Sequence, residues 1–226
     1  SCEKTNEELI KKEKLSTFIS DFQYPLYFLD FETFSSAVPH FDNSKPYEHM
    51  VFQFSLHIQK EKNGETEHYE HLAKADGTDP RINFIKALIK FCAGTGSVIV
   101  YNKGFESSKI EQLAIAFPEF KNELQQIISR IKDLMIPFQK KWYYNKNMKG
   151  SHSIKNVLPA MVNNLSYESL SIKDGGMASH TFSQMMSGTF EGDAESTRKY
   201  LLDYCKLDTL AMVEILNKLN KLVVSI

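Results

Sequence analysis

Alternation and helical spacing divide the chain into elements. From Met50 to Gln59 apolar residues recur at every second position, which predicts a strand with Phe52, Phe54, Leu56 and Ile58 on one face. Lys60 to Gly64 reads as a turn, and Thr66 to Leu72 returns as the hairpin partner. Tyr24 to Phe31 is a short aromatic and aliphatic run closed by polar residues, the pattern of a buried strand. Val98, Ile99 and Val100 predict another within Ser97 to Tyr101, and Ile131 to Ile136 gives one more short strand. Helical spacing covers residues 3–20, through Leu9, Ile10, Leu15 and Ile19, and residues 79–91, through Ile82, Ile85, Leu88 and Ile89 with Pro80 in the first turn. It returns over Glu106 to Phe117, Glu119 to Ser129 and, briefly, Ser179 to Met186, while Ser153 to Val162, limited by Pro159, reads as a helix or turn. Ala194 to Val224 is the strongest helical stretch, with Leu201, Cys205, Ala211, Ile215 and Leu219 as buried candidates. Residues 34–49 and 140–150 read as loops, the second as a loop or ribbon. A meander of three strands followed by alternating helices and strands predicts an α/β fold, with a mixed β-sheet of about five strands flanked by helices. Residues 1–20 read as an N-terminal helix or linker, and 21–226 as a single domain.

Composition sets the background for the chemistry. With 226 residues, 42% of them hydrophobic and 24% charged, the chain has ample material for one core. A net charge of −1 gives no overall attraction to nucleic acid or membrane, so such a preference has to come from local patches. Cys2, Cys92 and Cys205 lie far apart with no CxxC, which argues against a zinc site or a disulfide scaffold and suits a reducing, cytoplasmic compartment. No apolar run has the length of a membrane span, and residues 1–20 lack the apolar centre of a signal peptide. The start at Ser1-Cys2 reads as a piece of a longer polypeptide.

Three acidic motifs follow one another along the chain. Asp30 and Glu32 are two apart on a strand, so both carboxylates point to one face. Side by side they repel; either a divalent cation lies between them or both stand solvated at the strand end. Asn102 to Glu106 follows the Val98–Tyr101 strand, and Glu106 would sit in a helix first turn after a flexible Lys103-Gly104, a good partner for the helix dipole in any case. Tyr204 and Asp208 are four apart on a helix and share a face, while Asp203 points elsewhere. Six lysines (132, 140, 141, 146, 149 and 155) stand between residues 132 and 155 against the single acid Asp133, interleaved with Trp142, Tyr143 and Tyr144. That patch either binds an unpaired strand, through phosphate contacts and base stacking, or is a solvated loop over buried aromatics. Lys155, with His152 beside it, is its best phosphate-binding candidate. The remaining histidines show no metal-ligand spacing, Gly94-Thr95-Gly96 reads as a turn, and Met185-Met186 as core.

The set Asp30/Glu32, Asn102–Glu106 and Tyr204/Asp208 resembles the DEDD superfamily of 3′→5′ exonucleases, Tyr subgroup. Tyr27 to Thr33, Phe52 to His57, Pro80-Arg81, Ser153 to Pro159 and Tyr204 to Thr209 are similar to a bacterial family of uncharacterised proteins built on the same core. The resemblance covers roughly residues 24–216. It implies a ribonuclease H-like sheet and a 3′→5′ exonuclease acting on single-stranded DNA or RNA. It also implies two Mg2+ or Mn2+ ions about 3.5–4 Å apart, held by Asp30, Glu32, Glu106 and Asp208. Tyr204 would orient the attacking water, and Asn102, Lys155, His152, Trp142 and Tyr143 would bind substrate. The His subgroup carries its base five residues before the last Asp, a position held here by Asp203. Glu106 stands where the superfamily usually has Asp. Either its longer side chain reaches the second ion from a slightly retracted backbone, or the second site is weak and the domain binds nucleic acid as a scaffold.

Overall fold

The structure, a computed structural model, describes residues 8–163 and 165–224. Ser1, Cys2 and the first residues of the expected N-terminal helix lie outside them. In chain order the elements are β1 (Leu9–Ile10), α1 (Lys12–Ser20), β2 (Leu26–Phe34), β3 (Met50–Gln59), β4 (Thr66–Leu72), α2 (Arg81–Phe91), β5 (Val98–Val100) and α3 (Lys103–Ala116). After a 3-10 turn at Pro118–Phe120 come α4 (Lys121–Ser129), β6 (Ile131–Asp133), α5 (Ile136–Gln139) and β7 (Tyr143–Tyr144). A second 3-10 turn, Lys146–Met148, precedes α6 (Ile154–Met161), α7 (Gly175–Ser187) and α8 (Ala194–Val224).

The central sheet is mixed and five-stranded, in the order β4-β3-β2-β5-β6. The β2–β3 and β3–β4 pairs are antiparallel, the β2–β5 and β5–β6 pairs parallel. Alternation along β2 supplies two cores at once. Tyr27, Leu29 and Phe31 join α2, α3 and α4 on one face. On the other face Leu26 and Phe28 meet α1, α5, α6 and α8, and Phe34 meets α7 and α8. Asp30 and Glu32 fall on this second face, between Phe28 and Phe34.

The expected alternation of β3 breaks at one residue. Glu32 pairs with Gln53 and Thr33 with Val51, so Phe52 is an extra residue in a β-bulge. Phe54 and Leu56 therefore enter the core with Val51, whereas Phe52 turns to the opposite face and stacks on Phe182 of α7, with ring centroids 4.0 Å apart. Gln53 lies on the same side and donates to the Leu201 carbonyl of α8 at 2.8 Å.

Other boundaries differ for local reasons. Leu9 and Ile10, expected on a helix, form β1 and pair with Tyr144 and Tyr143; only Lys12–Ser20 is helical, with Leu15 fully buried. β2 runs to Phe34, which places both acids inside the strand rather than at its end. α3 begins at Lys103, not at Glu106. The Asp133 carboxylate accepts from the N–H groups of Asn102 and Lys103 at 3.1 and 3.0 Å, and Asn102 takes a left-handed turn (φ 99°), so Lys103-Gly104 is the first helical turn. α7 is longer than its pattern suggested. The Asp174 side chain accepts from Met177 N–H at 2.8 Å and starts the helix over Gly175-Gly176, four residues before the expected Ser179. Ile82, expected in the buried stripe of α2, is exposed.

Candidate metal centre

β5 ends at Val100. Since Phe28 pairs with Ile99, the sheet edge beside Asp30 lies just past the carboxyl end of β5, the side of an open α/β sheet where ligands are received. Three elements bring acids there: β2 with Asp30 and Glu32, the first turns of α3 with Glu106, and the buried face of α8 with Tyr204 and Asp208. One carboxylate oxygen from each of Asp30, Glu32 and Asp208 lies within 4.8 Å of the others. Glu106 is not in that group of three, but its carboxyl is close enough for Asp30 to act on it. Burial is deep: Glu32 is 7% exposed, Glu106 2%, Asp208 7% and Tyr204 4%.

These carboxyls are hard to ionise. Burial comes first for each, pushing Asp30, Glu32 and Glu106 well above the usual carboxylate range. Mutual repulsion follows, from Asp208 on Asp30, from Asp30 and Asp208 on Glu32, and from Asp30 on Glu106. Asp208 rises to about 6 through burial, held down by hydrogen bonding from Tyr167, by the charge of Lys155 and by hydrogen bonding from Tyr204. Lys155 also works against the rise at Asp30 and Glu32. Its ammonium lies 5.1 Å above the Tyr204 ring and 5.5 Å above that of Tyr167, and donates to the Lys173 carbonyl at 2.7 Å. The Oε2 of Glu106 has no hydrogen-bond partner among the described residues. A cluster of hard oxygen donors, short of positive charge and with an orphan oxygen at its margin, fits a divalent cation of the magnesium or manganese type.

Two contributors were missed by the motifs. Tyr167 donates its hydroxyl to Asp208 Oδ1 at 2.6 Å, and the buried Cys205 thiol lies 3.6 Å from Asp30 Oδ2. Cys205 follows Tyr204 in the motif, where helical spacing marks it only as a buried position. Tyr167 lies in an irregular stretch between α6 and α7, with no spacing to mark it. The substrate candidates divide. Lys155 stands at the acids. Asn102 is exposed and starts α3, held by its backbone N–H to Asp133. His152 is exposed and is tied in through its backbone carbonyl, which accepts from Tyr101. Trp142 sets its ring edge-on to Phe18, 6.0 Å away. Tyr143 is fully buried with its hydroxyl on Glu8, so its ring offers no face for a stacked base. Of the lysine patch, Lys132 pairs with Asp21.

An open groove of about 540 Å³ leads away from Glu32. Thr33, Ser35, His49, Phe105 and the Gly175–Ser183 side of α7 line it. Gly175 lets the helix come close: a Cβ there would lie 3.4 Å from Glu32 Oε2. Among the described residues no helix is long and apolar enough to cross a membrane.

Fold and site together define an α/β protein with a buried acidic centre at the carboxyl end of a sheet strand. Residues 27–153 match the domain of unknown function DUF2779, and the chain belongs to that family. It is 29% identical over 207 residues to the uncharacterized protein MG366 homolog of Mycoplasma pneumoniae, covering 83% of this chain and 31% of that protein. It is 31% identical over 224 residues to the uncharacterized protein UU173 of Ureaplasma parvum, covering 87% of this chain and 31% of that protein. The chain thus spans about a third of the length of the curated relatives it matches. No solved structure matches it.

Proposed function

We propose that this domain is a metal-dependent 3′→5′ exonuclease on single-stranded DNA or RNA. The observation that carries the reading is the meeting of Asp30, Glu32 and Asp208 within 4.8 Å, from two elements far apart in sequence. Asp30, Glu32 and Asp208 would hold one Mg2+ or Mn2+, and Asp30 with Glu106 a second. Two bound cations supply positive charge to the attacking and leaving oxygens of a phosphodiester. Tyr204, buried beside Asp208, orients the attacking water, and Lys155 adds a fixed positive charge next to the phosphate. Water adds to phosphorus and gives up a proton, the P–O3′ bond breaks, O3′ of the shortened strand takes a proton to become a 3′-hydroxyl, and the nucleoside 5′-monophosphate is released. The polarity, the ribonuclease H-like ancestry and the Tyr subgroup come from the motif resemblance.

A 5′-labelled single strand incubated with the domain and Mn2+ should shorten stepwise from its 3′ end. A strand that stays whole while a known manganese nuclease digests it in the same buffer overturns the reading. Asp30→Ala with Asp208→Ala should abolish the shortening, and activity surviving both changes would belong to a contaminant. A second reading, a nucleic-acid-binding domain with little cleavage, is favoured by the position of Glu106 outside the group of three. A large gain of activity in Glu106→Asp would support it; a loss would show that the longer side chain is the fitted one.

A further inference from the structure

Tyr167 is held on several sides. Its ring packs against both cores on the acid-bearing face of the sheet and lies 6.3 Å from the Tyr204 ring. The Lys155 ammonium covers it at 5.5 Å and also clasps the Lys173 carbonyl, on the same inter-helix stretch as Tyr167. So placed, the hydroxyl meets Asp208 Oδ1 at 2.6 Å. The terminal torsion of an aspartate is broad, and packing around α8 does not by itself fix the plane of its carboxylate. A donor on one oxygen does.

We propose that Tyr167 is the positioning residue of Asp208: its hydroxyl sets the plane of the carboxylate and engages Oδ1, leaving Oδ2 to face a divalent cation shared with Asp30 and Glu32. Tyr167 has this role only if the acids hold a cation, as proposed above. The two tyrosines then divide the work. Tyr167 is the principal donor to the protein ligand, and Tyr204, which also bears on Asp208, reaches the water.

Mn2+ binding, measured by calorimetry and by the resonance of the free ion without nucleic acid, separates them. Tyr167→Phe keeps the ring and removes the donor. It should weaken Mn2+ binding by about tenfold or more, the scale of losing an outer-sphere partner. Tyr204→Phe should weaken it less, because the Tyr204 hydroxyl bears on the Asp208 carboxylate less than that of Tyr167 does. 4-Aminophenylalanine placed at residue 167, which restores a donor, should recover most of the loss. In turnover, Tyr167→Phe should lower kcat with little change in KM for the strand. A Tyr167→Phe protein that binds Mn2+ like the wild type overturns the assignment, as does a loss that the amino variant fails to recover. Wild-type protein that binds no Mn2+ overturns the cation site and Tyr167's role together. Wild-type protein that binds Mn2+ but cleaves no strand overturns only the nuclease reading, and the binding comparison still decides Tyr167.

Discussion

Asp208→Asn should make the metal-free protein more stable, although it removes an acid from the centre of the site. The change keeps the shape and an oxygen for the Tyr167 hydrogen bond while deleting the charge. The Asp208 carboxyl is raised from an ordinary 3.8 to about 6. At about 1.4 kcal/mol per tenfold change in proton affinity, ionising it inside the fold costs about 3 kcal/mol. The sign follows from the direction: the folded chain holds this proton more tightly than the unfolded one. Native stability therefore falls as pH rises from about 4 through about 6, and the whole cost is present above that. At pH 7.5 with a chelator the variant should gain about 3 kcal/mol, or roughly 6–12 °C in the thermal midpoint for a chain of this size. At pH 4 the two proteins should melt together, because wild-type Asp208 is then protonated. Thermal denaturation followed by circular dichroism at both pH values is sufficient. A variant no more stable than wild type at pH 7.5, or one whose gain persists at pH 4, would refute burial as the cause of the shift.

Three further outcomes follow from the same geometry. Mn2+ at about a hundred times its dissociation constant should raise the wild-type midpoint by roughly 5–10 °C at pH 7.5. It should do much less at pH 5, where Asp208, raised to about 6, keeps its proton; an equal shift at both would place the ion elsewhere. Phe182→Ala removes a fully buried ring stacked on Phe52 and should cost about 3–5 kcal/mol in urea unfolding; a loss under 1 kcal/mol would mean α7 is not anchored there. His57 is buried against Thr209 Oγ1 at 2.8 Å, and burial, then His68, lowers it to about 4. Its ring should stay neutral in NMR titration down to about pH 4, and its contribution to stability should fade as pH drops from about 6.5 toward 4. A midpoint above 6 would contradict that environment.

The strand alternations and the long α8 were legible because they depend on local periodicity. The endpoints of β3, β4 and α8 agree with the pattern residue for residue. What eluded the sequence depended on distant partners. Phe52 changes face because of its register against Glu32 and Thr33, which alternation within one strand does not encode. Lys103-Gly104 is helical because Asp133, thirty residues on from Lys103, accepts the backbone N–H groups of Asn102 and Lys103. Tyr143 has the composition of a stacking platform, but pairing with Ile10 and packing against Phe138 bury it. At the centre, order along the chain was enough to gather Asp30, Glu32 and Asp208. Tyr167 could not be read, since an irregular stretch carries no period to say which way a side chain turns.

The bulge at Phe52 has a mechanical consequence. A regular strand offers one side chain per rung to a given face; at the level of Glu32 this one offers two. Phe52 clamps α7 and Gln53 clamps α8, both from the rung that carries a central acid. The helix that lines the groove and the helix that bears Asp208 are thus bolted to one crossbar. Deleting residue 52 would heal the ladder and keep Met50 and Val51 on their present faces, but it would strip α7 of its stacked ring and leave Phe34 as the strand aromatic against Phe182.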